Sequence, residues 1–209
     1  CPAFVNLIKK QYPELAEHIS TTISPMFALS RLLKSEDPDT ITVFIGPCIA
    51  KKSEVIDSIT FGGADYAMTY EELASMFEAK NIDPEECTET MQQGSKFGKQ
   101  YSVSGGVTAA VLETFKEANK EVDLKVKTCS GALECKKALM LLKVGKLPED
   151  FIEGMACVGG CVNGPAMLGK SRTFLKDRNG QIAKADDRGV LENVAQYDEY
   201  GINMTRNHQ

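Results

Sequence analysis

The sequence has few of the residues from which many active sites are built. Of its 209 residues only two are histidines, His18 and His208, and none is tryptophan. A histidine-rich metal site or a Ser-His-Asp triad can hardly be assembled from this set. Lysine and arginine total 24 against 29 acidic residues, which gives a formal net charge of −5. This charge argues against nucleic acid as the main partner, because a phosphate backbone is bound by basic surfaces.

Long apolar segments are also missing. The apolar runs are only a few residues long, which is too short to span a bilayer. No basic-then-apolar leader opens the chain. We therefore expect no membrane segment and a cytoplasmic location. The share of apolar residues, 43%, and of charged residues, 25%, is that of a folded globular protein.

Cysteine is the residue present in excess. The odd number of cysteines, in a chain with no visible leader, does not indicate a disulfide framework. Metal binding or thiol chemistry is the better expectation. The seven are Cys1, Cys48, Cys87, Cys129, Cys135, Cys157 and Cys161.

The apolar pattern alternates between short strands and helices. Residues 41–45 form a continuous apolar run, which predicts a strand buried on both faces. Further strands are expected near 64–68, 124–128 and 151–156, with helices between them. This order predicts an α/β fold with mostly parallel sheets flanked by helices. Near 172–175 we expect a short strand or hairpin.

Two cysteines follow the last of these strands, in a stretch rich in glycine. Cys157 and Cys161 lie four apart, and glycine allows the backbone to turn sharply or approach a ligand. The pair could instead be two packing cysteines on one helical face. A thioredoxin-like site needs two residues between its cysteines, and a radical-SAM cluster needs a third cysteine where Gly164 stands.

Cys48 also follows a predicted buried strand. The carboxyl ends of parallel strands are the edge at which open sheets bind ligands. Lys51 comes three residues later, near a helix start. It is either a solvated lysine at the helix end or a donor to an anionic ligand beside Cys48.

Together, three cysteine motifs resemble the catalytic domain of FeFe hydrogenases. That family reads roughly TSCCPxW, then MPCxxKxxE, then MACxxGCxxGG. This chain has CPAF at 1–4, GPCIAKKSE at 46–54 and MACVGGCVNG at 155–164. Three motifs in the same order are a specific signal. Further agreement comes from YPEL at 12–15, SP at 24–25 and SGG at 104–106.

The resemblance implies an H-cluster, that is, a 4Fe–4S cubane joined to a two-iron subsite with CO, cyanide and a dithiolate. It implies that Cys161 bridges the cubane to the subsite. Lys51 would donate to a cyanide, and Met155 would pack beside the subsite. Ser20 matches a hydroxyl of the family's proton relay. The implied cubane ligands are Cys1, Cys48, Cys157 and Cys161.

The departures from the family concern the pocket. Gly46 stands where catalytic members have methionine, Pro165 interrupts a glycine run, and Met26 replaces an expected glutamine. Gly46 either leaves a gap that admits water, or Phe44 or Met26 refills the space. These changes resemble a divergent, sensory branch of the family.

We interpret residues 1–209 as a partial catalytic domain, one part of a two-lobed fold. The upstream portion of the family's domain would supply one side of the pocket, a relay cysteine just before Cys1 and an outer carboxylate. We therefore expect the chain alone to be inactive.

The expected function of the intact protein is reversible H2 oxidation and proton reduction, in an anaerobic setting. A ferredoxin or a fused Fe–S or signalling domain would exchange electrons with it. The alternatives are a hydrogen or redox sensor and an Fe–S protein of the cluster-assembly type. A cysteine just upstream of Cys1 would favour turnover, and an inert residue would favour sensing.

Overall fold

The computed structural model describes residues 1–59, 62–86, 88, 94–169 and 171–206. Cys87 and His208 therefore lie outside the described residues. The α-helices in this part of the chain are α1 Pro2–Gln11, α2 Pro25–Glu36, α3 Ala50–Ile59, α4 Tyr70–Lys80, α5 Lys96–Gln100, α6 Gly106–Glu117, α7 Ala132–Lys143, α8 Ser171–Ala183 and α9 Val190–Ala195. The strands are β1 Val43–Ile45, β2 Tyr66–Met68, β3 Val126–Ser130 and β4 Phe151–Met155. Short 3-10 helices cover Pro13–His18, Pro84–Glu86, Cys161–Asn163 and Asp198–Tyr200.

The strands pair in parallel, in two separate sheets. β1 pairs with β2, with Val43 opposite Tyr66. β3 pairs with β4, with Val126 opposite Phe151 and Ser130 opposite Met155. Because each pair is joined through a helix, this is the strand–helix–strand unit that the sequence predicts. The α/β class with parallel sheets flanked by helices is confirmed.

Side-chain caps fix the start of several described helices, α2 and α4 among them. The Ser24 hydroxyl accepts a hydrogen bond from the Phe27 amide at 3.4 Å and begins α2. Thr69 and Glu72 form a reciprocal capping box at the start of α4. Both caps satisfy amides that the helix itself leaves without partners, so these boundaries follow directly from the sequence.

Three small apolar clusters form the core. The first gathers Phe27 and neighbours from α2 and α3, and the second joins Ile8 and Leu15 to Leu139. The third contains Cys129 and Cys135, both fully buried. Burial raises the pKa of the Cys135 thiol to about 11, with the nearby Cys129 as a further cause. These two cysteines pack as apolar side chains, in line with their lack of a matching motif.

The prediction that residues 41–45 are buried on both faces is wrong. Val43 is 43% exposed and Ile45 is 41% exposed, while Phe44 between them packs against the first cluster. Successive side chains of a strand point to opposite faces, so only the Phe44 face meets the core. In the register of the sheet, Tyr66 lies opposite Val43 and is also exposed.

The strand expected near 172–175 is also wrong, because this segment lies inside helix α8. A run of three residues with β propensity is weak against the thirteen residues that join this helix. Helix α8 contacts α5 and the 3-10 helix Cys161–Asn163. At the end of the described chain, Thr205 pairs with Thr22, and the Ile23 amide donates to the Met204 carbonyl at 2.9 Å. Among the described helices, none is long and apolar enough to cross a membrane.

Asp65 ties the start of β2 to the segment before β1 and to α2. Its carboxylate accepts hydrogen bonds from Lys34 at 2.7 Å and from the Thr42 amide and hydroxyl at 2.7 and 2.9 Å. These bonds stabilise the charged form, so the pKa of Asp65 falls to about 2, with the Lys34 bond as the largest cause.

We expect Asp65→Asn to lower the free energy of unfolding at pH 7 by about 1–2 kcal/mol, since the pair is partly exposed. A lowered pKa contributes stability above the unfolded value, and that stability is lost as the pH falls from about 4 to about 2. The difference between the variant and the parent should therefore close over that range in urea titrations. Asp57→Asn is the control, because Asp57 is exposed and lies 3.6 Å from Lys9. An Asp65→Asn variant with a constant deficit at all pH values would contradict the assignment.

Candidate metal centre

The second and third cysteine motifs lie against each other through their backbones. The Ala166 amide donates to the Pro47 carbonyl at 3.1 Å. A Cβ on Gly164 would lie 2.5 Å from the same oxygen, so only glycine fits there. This contact brings the segment after Cys161 onto the residue before Cys48.

The first motif reaches the same place through helix α1. Phe4 lies on Gly154 so closely that a Cβ there would be 2.3 Å from its ring. Cys1 is the N-cap residue of α1, and Asn6 on this helix donates a hydrogen bond to the Ser53 hydroxyl at 2.8 Å, on the helix that follows Cys48. Cys1, Cys48 and Cys161 therefore converge, although they are far apart in the sequence.

Glycines shape the turn between Cys157 and Cys161. Gly159 and Gly160 have φ values of +75° and +117°, which favour glycine. The Gly160 amide donates to the Cys157 carbonyl at 3.1 Å, and the Cys161 amide donates to the Ser102 carbonyl at 2.8 Å. A Cβ on Gly160 would be 2.1 Å from that Ser102 oxygen. The turn is thus pressed against the segment that precedes α6.

The four thiols are free, and burial is the largest influence on the pKa of two of them, Cys157 and Cys161. Burial, followed by the charges of Cys161 and Cys48, raises the pKa of Cys157. Burial and Cys48 likewise raise the pKa of Cys161, against the charge of Lys51. Thiols that resist ionisation in this way need a strongly positive group to hold them as thiolates.

This cysteine set does not form a site for one ion. Within the described ranges, no three His, Cys, Asp or Glu side chains lie close enough to hold a single metal ion. A four-iron cluster takes each thiolate on a different iron atom, and its ligands are therefore farther apart than those of one ion. Cys1, Cys48, Cys157 and Cys161 are free, so they supply the donor type that such a cluster takes.

Lys51 points inward, so it is not a solvated lysine at a helix end. Its side chain is 13% exposed and lies 2.6 Å from Glu54, whose side chain is 5% exposed. The ammonium also lies over the Phe44 ring, 5.3 Å from its centre. Burial raises the pKa of Cys161, and the positive charge of Lys51 opposes that rise.

The space beside Gly46 is occupied by an aromatic ring. A Cβ on Gly46 would lie 2.8 Å from the end of the Phe44 ring. The second of our two alternatives therefore holds, and Phe44 fills the place that a larger side chain would take. Met26 is buried in the first cluster with Phe27.

Met155 and Ser20 lie in different surroundings. Met155 is the last residue of β4, two positions before Cys157, and only 6% of it is exposed. Ser20 lies in an exposed position after the 3-10 helix Pro13–His18, and its hydroxyl accepts a hydrogen bond from the Thr22 amide at 3.2 Å. The role of either residue stays a prediction.

Glu153 is a residue that our sequence analysis did not identify. It is buried in β4, and its carboxylate accepts hydrogen bonds from the Gly105 amide and from the Thr108 amide and hydroxyl, at 2.6–2.8 Å. It thereby caps helix α6 from a neighbouring strand, where the helix dipole favours a negative charge. The available signal was a carboxylate inside an otherwise apolar strand.

The order and content of these motifs agree with a known family. Residues 1–165 match the family model described as the iron-only hydrogenase large subunit, C-terminal domain. The chain belongs to this family. Pro165 is the last matched residue, so the matched part includes all four convergent cysteines.

Named relatives agree with this assignment. The periplasmic Fe hydrogenase large subunit of Nitratidesulfovibrio vulgaris is 34% identical over 81% of this chain and 51% of its own length. Iron hydrogenase 1 of Clostridium pasteurianum is 26% identical over 100% of this chain and 43% of its own. A cytosolic Fe–S cluster assembly factor homologue of Schizosaccharomyces japonicus is 23% identical over 80% of this chain and 48% of its own. The chain thus spans about half the length of the curated relatives it matches.

Solved structures of FeFe hydrogenases resemble this fold. An FeFe-hydrogenase structure from Chlamydomonas reinhardtii superposes with a TM-score of 0.71 at 20% identity. The match covers 100% of this chain and 72% of the algal chain. The two proteins share the fold.

We expect Gly46→Ala to lower the free energy of unfolding by about 1–2 kcal/mol, because the new methyl group displaces the Phe44 ring from its packing and from Lys51. Thermal and urea unfolding measure the change. The double variant Gly46→Ala, Phe44→Leu should recover part of the loss. Gly180→Ala is the control, since a Cβ at Gly180 meets no atom within 4 Å. A Gly46→Ala variant as stable as the parent would contradict the close packing of Phe44.

Proposed function

We propose that this chain is the cluster-binding part of an FeFe hydrogenase, which catalyses the reaction H2 ⇌ 2H⁺ + 2e⁻ when the domain is complete. The observation that supports this most is the convergence of Cys1, Cys48 and Cys161 with the inward ammonium of Lys51. Free, partly accessible thiols gathered beside an inward-pointing cation fit an iron–sulfur cluster better than they fit a packing role.

Four residues would hold the cluster, namely Cys1, Cys48, Cys157 and Cys161. Of these, Cys161 would carry the two-iron subsite as well. When bound, this H-cluster supplies the electron transfer and the splitting of hydrogen. The protein supplies position, hydrogen bonds and exclusion of water.

The remaining residues act around the cluster. Lys51 would donate to an anionic ligand of the subsite, and its ion pair with Glu54 holds the ammonium in one direction. Met155, buried at the end of β4, would keep that side of the pocket dry. Ser20 would carry a proton only as one member of a longer relay.

The rest of the domain is a proposed partner in the same protein. Val43, Ile45 and Tyr66 form an apolar face of the first sheet and are 41–60% exposed. An upstream portion of the domain, packed on this face, would bury it and close the pocket. A ferredoxin or a fused Fe–S or signalling domain would exchange electrons, and we retain the proposal of a cytoplasmic location.

Hydrogen turnover is favoured over the alternatives. The two relatives with the higher identities are named as hydrogenases, and the cluster-assembly relative is less similar. Of the three departures that resemble a sensory branch, Gly46, Pro165 and Met26, the first leaves no gap, because the Phe44 ring occupies that place. We therefore make no separate proposal of a sensory role.

Anaerobic reconstitution with iron and sulfide tests the cluster. We expect about four iron atoms per chain and an EPR signal after reduction. The double variant Cys157→Ser, Cys161→Ser should lose most of the iron and the signal, because two thiolate ligands are gone. Cys129→Ala is the matched control, since it removes a buried thiol outside the site and should keep the iron. Circular dichroism reports whether each variant folds, and an unchanged signal in the double variant would refute the ligand assignment.

Hydrogen chemistry is tested on the intact, matured protein. We expect infrared bands of metal-bound CO and cyanide, together with hydrogen evolution from reduced methyl viologen. The chain of residues 1–209 alone should evolve hydrogen only at background, because an open pocket admits water to the reacting centre. Activity of this chain near that of an intact family member would contradict the proposal of a partial pocket. Absence of the infrared bands from the matured protein would contradict the proposed function.

A further inference from the structure

The turn between Cys157 and Cys161 has several external contacts, and one of them is a hydrogen bond to a serine hydroxyl. Ser130 is the last residue of β3, and its hydroxyl accepts a hydrogen bond from the Gly159 amide at 2.8 Å. The same oxygen accepts a longer bond, 3.2 Å, from the Ser104 hydroxyl. Ser130 thereby connects the turn to the loop before α6.

The neighbouring residue adds a packing contact to this hydrogen bond. Val158 lies so close to Gly131 that a Cβ on that glycine would be 2.8 Å from it. The Gly131 amide donates to the Met155 carbonyl at 2.7 Å. Ser130 and Gly131 therefore both contact the turn, one by a hydrogen bond and the other by packing.

This turn needs external support because of its own composition. Gly159 and Gly160 lack side chains that restrict the backbone, so the turn has many accessible conformations when it is not held. The hydrogen bond from the Gly159 amide to Ser130 restricts this choice, next to the bond from the Cys161 amide to the Ser102 carbonyl. The direction of the Cys157 and Cys161 side chains depends on that choice.

We propose that Ser130 is a positioning residue that sets the geometry of the Cys157–Cys161 turn for cluster binding. This inference rests on the proposed function, in which both cysteines are cluster ligands. Ser130 itself touches the turn, and it acts on the cluster only through the backbone.

The first test uses the full chain without iron, so it does not depend on the cluster. Amide hydrogen exchange at Gly159 is followed by NMR in the parent chain and in Ser130→Ala, Ser130→Thr and Ser104→Ala. We expect about fivefold faster exchange in Ser130→Ala, the effect of losing one hydrogen bond. Ser130→Thr should restore protection, because threonine keeps the hydroxyl. Ser104→Ala should change exchange little, because it leaves the Ser130–Gly159 bond in place.

The second test uses the reconstituted protein. We expect Ser130→Ala to lose iron to a chelator about fivefold faster than the parent, with shifted EPR g values of the reduced cluster, and Ser130→Thr to restore both. Ser35→Ala is the control, since Ser35 is an exposed hydroxyl on α2.

The two tests separate the possible failures. Unchanged exchange at Gly159 in Ser130→Ala would overturn the hydrogen bond itself. Ser130→Ala could instead show faster exchange at Gly159 together with iron loss and g values like those of the parent. That result would overturn the positioning role of Ser130, although the cluster would still be bound. If the parent chain binds no iron, the proposed function fails and the inference falls with it, whatever the exchange result.

Discussion

Close contact between backbone segments is the constraint on which the cysteine site depends. Gly154 admits the Phe4 ring, Gly160 admits the Ser102 carbonyl, and Gly164 admits the Pro47 carbonyl. At each of the three points a Cβ would be within 2.5 Å of its neighbour. Each contact joins a different segment to the third cysteine motif. Without these three glycines the cysteines would stay on separate segments and could not converge.

The same chain uses cysteine in two opposite environments. Cys129 and Cys135 are fully buried among apolar side chains and pack there, and burial raises the pKa of each thiol. Cys1 is exposed, and Cys48, Cys157 and Cys161 are partly accessible. The positive charge of Lys51 opposes the rise in pKa that burial causes at Cys161. Packing and electrostatics together thus distinguish thiols suited to a cluster from thiols that fill space.

Local signals were predictable from the sequence, and tertiary ones were not. The capping box of Thr69 and the alternation of strands with helices depend on short segments, and both are present. The exposure of Val43 and the position of the Phe44 ring depend on what lies against β1, which no local pattern records. The capping of α6 by Glu153 joins residues almost fifty positions apart. Local propensity predicted a strand near 172–175, but this segment forms part of α8. The contacts of α8 with α5 are tertiary and cannot be seen in a local pattern.

The pairing of Thr22 with Thr205 has a consequence for how the protein is made. The ribosome synthesises a chain from its amino end. Thr22 therefore emerges long before its partner Thr205. The cysteine site is similarly delayed, since Cys1 waits for the third motif. Contacts between distant parts of a chain close slowly, because the entropy of the intervening loop is lost first. During translation Cys1 therefore stays apart from Cys157 and Cys161 until the third motif has left the ribosome.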